Sequence, residues 1–388
     1  MKVRAADRKR AALAGLMAMA CAFVWQFAVA HAVYGGNWTG FFCTGRNLKL
    51  PPRLASKEVY VYASDAGYDS QFYHFVAHDP LFRRGLDQYM DAPRLRYRRI
   101  LVPALAFAAS SGQDARIDAA LIAVNLLFVF AGGYWLSRYA VSHGFHSLWG
   151  LSFLIAPAVL VSLDRLTVDL ALTAFCVALA LYLHEERSPE VYVVLLLAAL
   201  ARETGLLLTA AYCISLVSEH RMKRAALFAT SVVPALAWYA FVQAHTVPID
   251  SAGWFQPIPL AGVIDRMIHP VAYPFVPIVK WSAEILDECA LTGVLLAFFL
   301  SFRWWAQFSR PLAWAAVLFT LSGITLGKPF WGDAFAFGRV FCPLVVFIGL
   351  QGFTTRPWLS LLPAALIDPQ IGLQLAYRFF QVAKAIFR

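Results

Sequence analysis

The sequence predicts an all-α protein: a bundle of about ten transmembrane helices in a single integral membrane domain, residues 1–388. Hydrophobic residues make up 60% of the chain and charged residues only 14%, against roughly 25% charged in an ordinary soluble domain. Apolar runs of roughly 17–25 residues recur, and about 20 residues cross the hydrocarbon core of a bilayer as an α-helix. The net charge of +10 lies largely in short segments beside these runs, where lysine and arginine set orientation and meet anionic lipid.

The first predicted span covers residues 11–32 and follows a basic head, MKVRAADRKR. The motif AVAHA at residues 28–32 resembles the small-residue cleavage site of a signal peptide. The apolar run is long for a signal peptide and many further spans follow it. We therefore predict an uncleaved helix whose basic head lies in the cytoplasm.

The next segment, residues 34–110, is predicted to be an outer loop that carries amphipathic and interfacial helices. Residues 34–98 form the longest non-apolar stretch of the chain, whereas RRILVPALAFAAS (98–110) is apolar but short for a span. If residues 98–110 crossed the membrane, every later loop would change sides and the basic loops would face outward. The positive-inside rule therefore favours a helix in the outer interface.

The remaining spans are predicted within residues 116–353, and a hydrophobic tail with basic residues at its end follows at residues 357–388. Two of the apolar runs, 148–163 and 190–201, are short, which predicts tilted or partly broken helices. The predicted spans are 116–138, 148–163, 166–184, 190–201, 204–218, 224–243, 284–302, 310–327 and 338–353.

The loops between these spans predict the orientation of the chain. With the N-terminus inside, the cytoplasmic loops are SRYAVSHGFH, HEERSPE, SEHRMKR, FRWWAQFSR and TTRPW. Apart from the long 34–98 segment, the inner loops carry more arginine and lysine than the outer ones, as the positive-inside rule requires. No basic patch is interleaved with stacking aromatic residues, so we expect membrane lipids as partners and no nucleic acid.

Charged side chains near membrane depth are expensive, at about 2.5–3.5 kcal/mol for a central charge, and usually face a cavity or a partner. Under the predicted topology, four charged clusters lie at the outer mouths of the helices. We therefore predict one polar cavity that opens outward. The clusters are Asp65/Asp69, Asp164/Arg165/Asp169, Arg202/Glu203 and Asp333/Arg339.

Several motifs together resemble one enzyme superfamily. They are GYDSQFYHFVAHDP (67–80), YRRILVPALAFAAS (97–110), SLDRLTVDLALTAF (162–175), LAALARETGLLL (197–208) and AFGRVFCPLVVF (336–347). Their order resembles the C-type superfamily of membrane glycosyltransferases (GT-C), in particular the branch of the GPI-anchor mannosyltransferases and related bacterial membrane proteins. The resemblance covers about residues 58–243 and 333–350.

The resemblance implies an enzyme in the bacterial inner membrane that moves a sugar from a polyprenyl-phosphate donor to an envelope glycan, lipid or protein on the periplasmic side. Asp69 occupies the family position for a catalytic base, the group that removes the proton of the attacking hydroxyl. Asp65 lies four residues earlier and would share its face on a continuing helix, although aspartate is also a preferred helix N-cap.

The leaving phosphate needs preplaced cations, and arginine binds two phosphate oxygens at once. Arg339, Arg202 and the Arg98/Arg99 pair are the candidates. Arg202 has an alternative role in a structural ion pair with Glu203, and Arg339 has one as an interfacial anchor.

Three further candidates for substrate contact have structural alternatives. Asp164 and Asp169 contact substrate or else cap a turn and pair with Arg165. Tyr73 offers its ring to a sugar or else packs at the interface.

The sequence names no cofactor and predicts no metal site. The paired acids usual in the family are here separated as Asp65 and Asp69, which argues against a metal-binding pair, and a divalent metal requirement is left open. His74 and His78 have an i, i+4 spacing that suits a metal, but no third ligand lies nearby in the sequence. Two rival functions remain: a transporter or flippase of lipid or glycan, and a non-catalytic assembly subunit with the same fold.

Overall fold

The protein is built of helices. The computed structural model describes residues 5–55, 58–63, 67–247, 256, 258–273, 276–355 and 358–387. Across these residues the backbone forms α-helices, short 3-10 helices and turns, and the pairing of Thr44 with Val61 is an isolated bridge and not part of a strand. The predicted all-α class is confirmed.

The described part of the chain contains nineteen α-helices. The first ten are α1 (Ala5–Tyr34), α2 (Pro52–Ala55), α3 (Ser70–His78), α4 (Pro93–Arg98), α5 (Leu101–Ala109), α6 (Asp114–Ser142), α7 (Pro157–Arg165), α8 (Asp169–His184), α9 (Ser188–Ala201) and α10 (Leu206–Ser218). The other nine are α11 (Met222–Ala229), α12 (Val233–His245), α13 (Ala261–Ile268), α14 (Pro277–Arg303), α15 (Arg310–Ile324), α16 (Ala334–Val340), α17 (Cys342–Thr355), α18 (Leu362–Gln374) and α19 (Ala376–Ile386).

Several long apolar helices indicate an integral membrane protein. Among the described residues, α1, α6, α14 and the continuous segment Met222–His245 are long and apolar enough to cross a membrane. Three bent helix pairs raise the number of candidate spans from four to as many as seven. The helices α8, α9, α10 and α15 are apolar but shorter, so the count of about ten stays a prediction.

Two predicted spans are broken. The run 148–163 forms a 3-10 helix, Ser147–Ile155, and α7, which meet at 65°. The break falls at Ala156, whose extended backbone is the conformation favoured before a proline, here Pro157. The run 338–353 is likewise divided, because α16 and α17 meet at 60°. The first break confirms the prediction for a short run, whereas the second was not predicted.

The apolar segment 98–110 does not form a full span. It contains α5, whose nine residues extend about 14 Å, less than half of a hydrocarbon core. α5 packs against α3 and α6, and Val102 and Ala106 are buried there. Its length fits the predicted interfacial helix, and its position relative to the membrane stays a prediction.

Two close contacts organise the bundle. α1 and α6 pack tightly through small residues: a Cβ atom added at Gly15 would lie 2.7 Å from the carbonyl oxygen of Phe130, and small residues allow such approach between membrane helices. α8 lies at the centre, since every residue from Asp169 to Leu181 is buried. A helix that is apolar all round belongs in the interior, and α8 thereby holds Asp169 inside the bundle.

The predicted tail, residues 357–388, is part of the bundle. α18 packs along α14, α19 packs against α1, and the two helices are bent by 60°. The side chain of Arg378 on α19 is buried, which a free tail would not provide.

Candidate functional site

The carboxylate of Asp69 lies between two arginines. Its Oδ2 is 2.7 Å from Arg339 Nη2, and its Oδ1 is 3.1 Å from Arg96 Nη2. Asp69 immediately precedes α3, and its side chain makes no capping hydrogen bond to that helix. Both oxygens are therefore available to the arginines. Asp69 and Arg339, two predicted residues from opposite ends of the bundle's sequence, are in direct contact.

Arg339 joins Asp69 to a second buried acid. The Nε atom of Arg339 lies 3.3 Å from Asp169 Oδ2, and the other oxygen of Asp169 pairs with Arg202. Leu166 ends α7 in the left-handed region at φ 37°, which turns the chain so that Asp169 can open α8. Arg339 lies in the last turn of α16, whose start is capped by Asp333.

Arg99 and Glu203 extend this network. The Nε and Nη2 atoms of Arg99 donate to the two carboxylate oxygens of Glu203 at 2.8 and 2.5 Å, a bidentate pair. Arg99 also donates to the hydroxyl of Tyr73 at 2.7 Å. Arg202 lies 4.0 Å from Glu203, so each member of the predicted Arg202–Glu203 pair has a closer partner elsewhere. We call the connected set the Asp69 network: Asp69, Tyr73, Arg96, Arg99, Asp169, Arg202, Glu203 and Arg339.

A cavity of about 370 Å³ lies beside the Asp69 network. Its volume is within the range of roughly 300–1,000 Å³ found for small-molecule sites. Its charged lining residues include the predicted residues Arg98, Arg99 and Arg202, together with Glu203. Its apolar lining residues include Phe319, Leu326, Phe330 and Val340. Asp69 and Arg339 are not among its lining residues and connect to it through Asp169 and Arg202.

Arg98 differs from the other arginines of the cavity. Its guanidinium lies 5.5 Å from the centre of the Tyr239 ring, and its Nε atom is buried without a hydrogen-bond partner among the described residues. No carboxylate of the described chain forms an ion pair with it, whereas Arg99 and Arg202 are paired with acids. Arg98 therefore brings an uncompensated positive charge to the cavity wall.

The arginines determine the electrostatics of Asp69. Burial opposes ionisation of this carboxyl, but the positive charges of Arg96, Arg339 and Arg99 outweigh burial and hold its pKa below the usual range. Asp69 is thus ionised and a weak base in this arrangement. A carboxylate accepts a proton readily only when its pKa lies near the working pH, so base catalysis by Asp69 requires an arginine to be drawn away.

A second group of charges, the Asp164 cluster, consists of Asp164, Arg165, Arg378, Tyr34 and Tyr62. Arg165 Nε lies 3.5 Å from Asp164, as the sequence predicted, and Arg378 contacts the other carboxylate oxygen. Arg378 also donates to the hydroxyls of Tyr34 and Tyr62 at 3.2 and 3.1 Å. Asp164 is fully buried among these partners, which fits its structural alternative, whereas Asp169 pairs with Arg202 and Arg339 and not with Arg165.

Two predicted residues need separate mention. Tyr73 is buried, with its hydroxyl on Arg99, so its ring has no free face for a sugar and the packing alternative describes it better. Asp65 falls outside the described residues, and its catalytic role stays a prediction.

Sequence reasoning missed two arginines. Arg96 is three residues before Arg99, so both project from neighbouring positions of the same helical turn, and this spacing was a usable signal. Arg378 is a single arginine in the apolar stretch that forms α19, and an ionisable residue in such a stretch usually has a buried partner.

In comparisons with known proteins, the chain matches no family model, no curated protein and no solved structure. The resemblance to GT-C glycosyltransferases therefore stays a prediction.

Proposed function

We propose that this protein is a membrane glycosyltransferase that moves a sugar from a polyprenyl-phosphate donor to an acceptor of the cell envelope. The proposed site faces the periplasm of a bacterium, and the N-terminus lies in the cytoplasm. One observation carries the proposal: a cavity of about 370 Å³ beside the Asp69 network is lined by both arginines and apolar side chains.

The cavity suits an amphipathic anion. Four arginines and one glutamate line it, since Arg94 joins the three predicted arginines and Glu203 is the single acid. The lining therefore has a net positive charge, which favours phosphate, and among the described residues no carboxylate pairs with Arg98 that a phosphate would have to displace. Phe319 and Leu326, which also line the cavity, suit the hydrocarbon of a polyprenyl chain.

Asp69 would act as the base once the donor is bound. A new bond forms between the acceptor oxygen and the anomeric carbon of the sugar, the bond from that carbon to the phosphate oxygen breaks, and the acceptor proton goes to Asp69. Arg339 and Arg202 would stabilise the phosphate that leaves. Any weakening of the contact between Arg339 and Asp69 when the donor binds would raise the pKa of the carboxyl toward a useful value.

A non-catalytic assembly subunit is the second candidate, and one observation favours it. Both oxygens of Asp69 are already occupied by arginines, an arrangement that is also adequate for a purely structural residue.

The test uses full-length protein in nanodiscs, a polyprenyl-phosphate sugar labelled in the sugar, and an envelope extract as acceptor. We expect label to move from lipid to acceptor, and Arg98→Gln to weaken retention of the lipid phosphate. Retention of the lipid without transfer would support the subunit. Movement of intact labelled lipid between leaflets would support a flippase. No retention at all would refute the cavity assignment.

A further inference from the structure

The helices α3 and α6 face each other with two pairs of polar side chains that are not part of the Asp69 network. His74 and His78 lie one turn apart on α3, and Asp114 and Asp118 lie one turn apart on α6. His74 Nε2 is 2.8 Å from Asp118 Oδ1, and His78 Nε2 is 3.1 Å from the same oxygen. The fold thus places Asp118 beside the two histidines. Asp118 is the third ligand that the sequence around the histidines did not reveal.

We propose that His74, His78 and Asp118 bind a divalent transition metal ion of the zinc class. The three ligand atoms lie within 4.8 Å of one another. Ligands of tetrahedral zinc, at about 2.0–2.2 Å from the metal, are about 3.3–3.6 Å apart. To admit the ion, the distance from Asp118 to His74 would open from 2.8 Å by about 0.5–0.8 Å and the distance to His78 from 3.1 Å by about 0.2–0.5 Å.

The surroundings of the histidines orient their lone pairs toward this point. His78 Nδ1 lies 2.9 Å from Asp114 Oδ1, so Asp114 is placed to accept the proton of Nδ1, and a metal-bound His78 would then offer the lone pair of Nε2 to the ion. The same oxygen of Asp114 is 2.5 Å from Arg84 Nη1, so Asp114 orients His78 and is not itself a ligand. The ring of His74 stacks on Phe42 at 4.0 Å between centroids, which fixes its plane.

The ligand types select the metal. Two imidazoles and one carboxylate suit zinc or a neighbouring transition metal, whereas calcium and magnesium prefer oxygen alone. Both histidines are buried, and the side chain of Asp118 is 22% exposed, so the ion is shielded on one side and reachable by water on the other. A water molecule would complete the four ligands.

The proposed metal fixes the helix that follows Asp69. His74 is five residues beyond Asp69, which places the two side chains about 140° apart around α3. The metal would therefore tie α3 to α6 on the side away from the Asp69 network. This role is independent of glycosyl transfer and holds whatever the protein does.

The experiment measures metal in full-length protein purified in detergent with a tag that contains no histidine. The protein is incubated with zinc chloride and dialysed against a weak chelator, and the zinc per chain is counted by mass spectrometry. We expect one retained zinc per chain, a loss in His78→Ala and in Asp118→Asn, and a drop in affinity of about 10–100-fold in Asp114→Asn. His269→Ala is the matched control, because His269 also lies 3.0 Å from an aspartate one turn away, Asp265, but its own side chain is exposed.

A second measurement needs no variant and so does not depend on whether a variant folds. It is the X-ray absorption spectrum at the zinc edge of the unmodified protein. We expect nitrogen and oxygen ligands at about 2.0–2.1 Å and the outer-shell scattering of imidazole. Three results would overturn the proposal. The wild-type protein could retain no zinc, the zinc-edge spectrum could show sulfur ligands, or a folded His78→Ala variant could keep its full zinc content. In those cases the four residues form a hydrogen-bonded network only.

Discussion

The Asp69 network and the Asp164 cluster use the same side chains in two different settings. Each joins buried aspartate to arginines from distant parts of the chain and adds tyrosine. The side chain of Asp69 is 22% exposed and a cavity lies beside its network, whereas Asp164 is fully enclosed by Arg165, Arg378 and the neighbouring tyrosines. Buried ion pairs alone therefore do not indicate function, and access to a cavity is what distinguishes the two groups.

The largest expected effect is on the rate of sugar transfer and tests whether the Asp69 network is the functional one of the two groups. Asp69→Asn removes the proposed base and should lower the rate of sugar transfer by about 100–10,000-fold, the usual contribution of a positioned base. Asp91→Asn is the matched control, since Asp91 pairs with the same Arg96 at 2.7 Å but is 49% exposed. Transfer of labelled sugar measures both variants. Equal rates for the two would contradict the role of Asp69.

The next effect concerns the Asp164 cluster. Asp164→Asn leaves Arg378 buried without its charged partner and should lower the free energy of unfolding by about 3–5 kcal/mol. Asp265→Asn removes an exposed pair with Lys328 and should leave the free energy of unfolding nearly unchanged. Denaturation in mixed detergent micelles measures the difference. If Asp164→Asn were as stable as Asp265→Asn, the cluster would not be a structural element.

A smaller effect tests the cavity. Arg98→Gln should weaken binding of polyprenyl phosphate by about 10–100-fold, because a hydrogen bond to a charged group contributes about 1.5–3 kcal/mol. Its stability should be unchanged, since Arg98 has no ion pair within the described chain. Arg94→Gln is the control, because Arg94 lines the same cavity but donates to the carbonyl oxygen of Thr246 at 2.6 Å. Native mass spectrometry of bound lipid compares them, and equal losses would mean that the cavity does not use Arg98.

The smallest effect is a dependence of stability on pH. The arginines hold the pKa of Asp69 below its unfolded value of about 3.9, so its ionised form stabilises the fold above that pH. This stabilisation is lost as the pH falls from about 4 toward the lower folded pKa. Thermal unfolding of wild type and Asp69→Asn should therefore differ at neutral pH and converge in acid. A constant difference down to the acid limit would contradict the ion pairs.

The sequence predicted the fold class well because hydropathy reports directly on helices in lipid. The short α5 and the break within the run 148–163 followed from the lengths of the apolar runs, and Pro157 gives the physical reason for the position of that break. The bend between α16 and α17 was not predicted, although Pro343, the second residue of α17, was a usable signal for a break at this point. Residues 357–388 were predicted to be a tail, whereas α18 and α19 pack within the bundle. Hydropathy could not show this, because it does not report which helices become neighbours.

The charged residues were predictable one by one, but their partners were not. Asp69, Arg339 and Arg202 stood out because charge is rare in such a chain. Pairing depends on contacts between remote segments: Arg99 binds Glu203, and Arg378 bonds to Tyr34 across most of the chain. For the same reason the histidines of α3 had no visible third ligand until α6 brought Asp118 beside them.

The contact between Arg378 and Asp164 has a consequence for biogenesis. A ribosome makes α7 long before α19, so the carboxylate of Asp164 enters the nascent bundle before its main counter-ion exists. Until α19 is inserted and docks against α1, the assembling protein carries an acid that the surrounding lipid disfavours, and quality-control proteases have a means to recognise unfinished chains. Translation that stops before α19 should therefore yield a product that is degraded rather than one that is merely shorter.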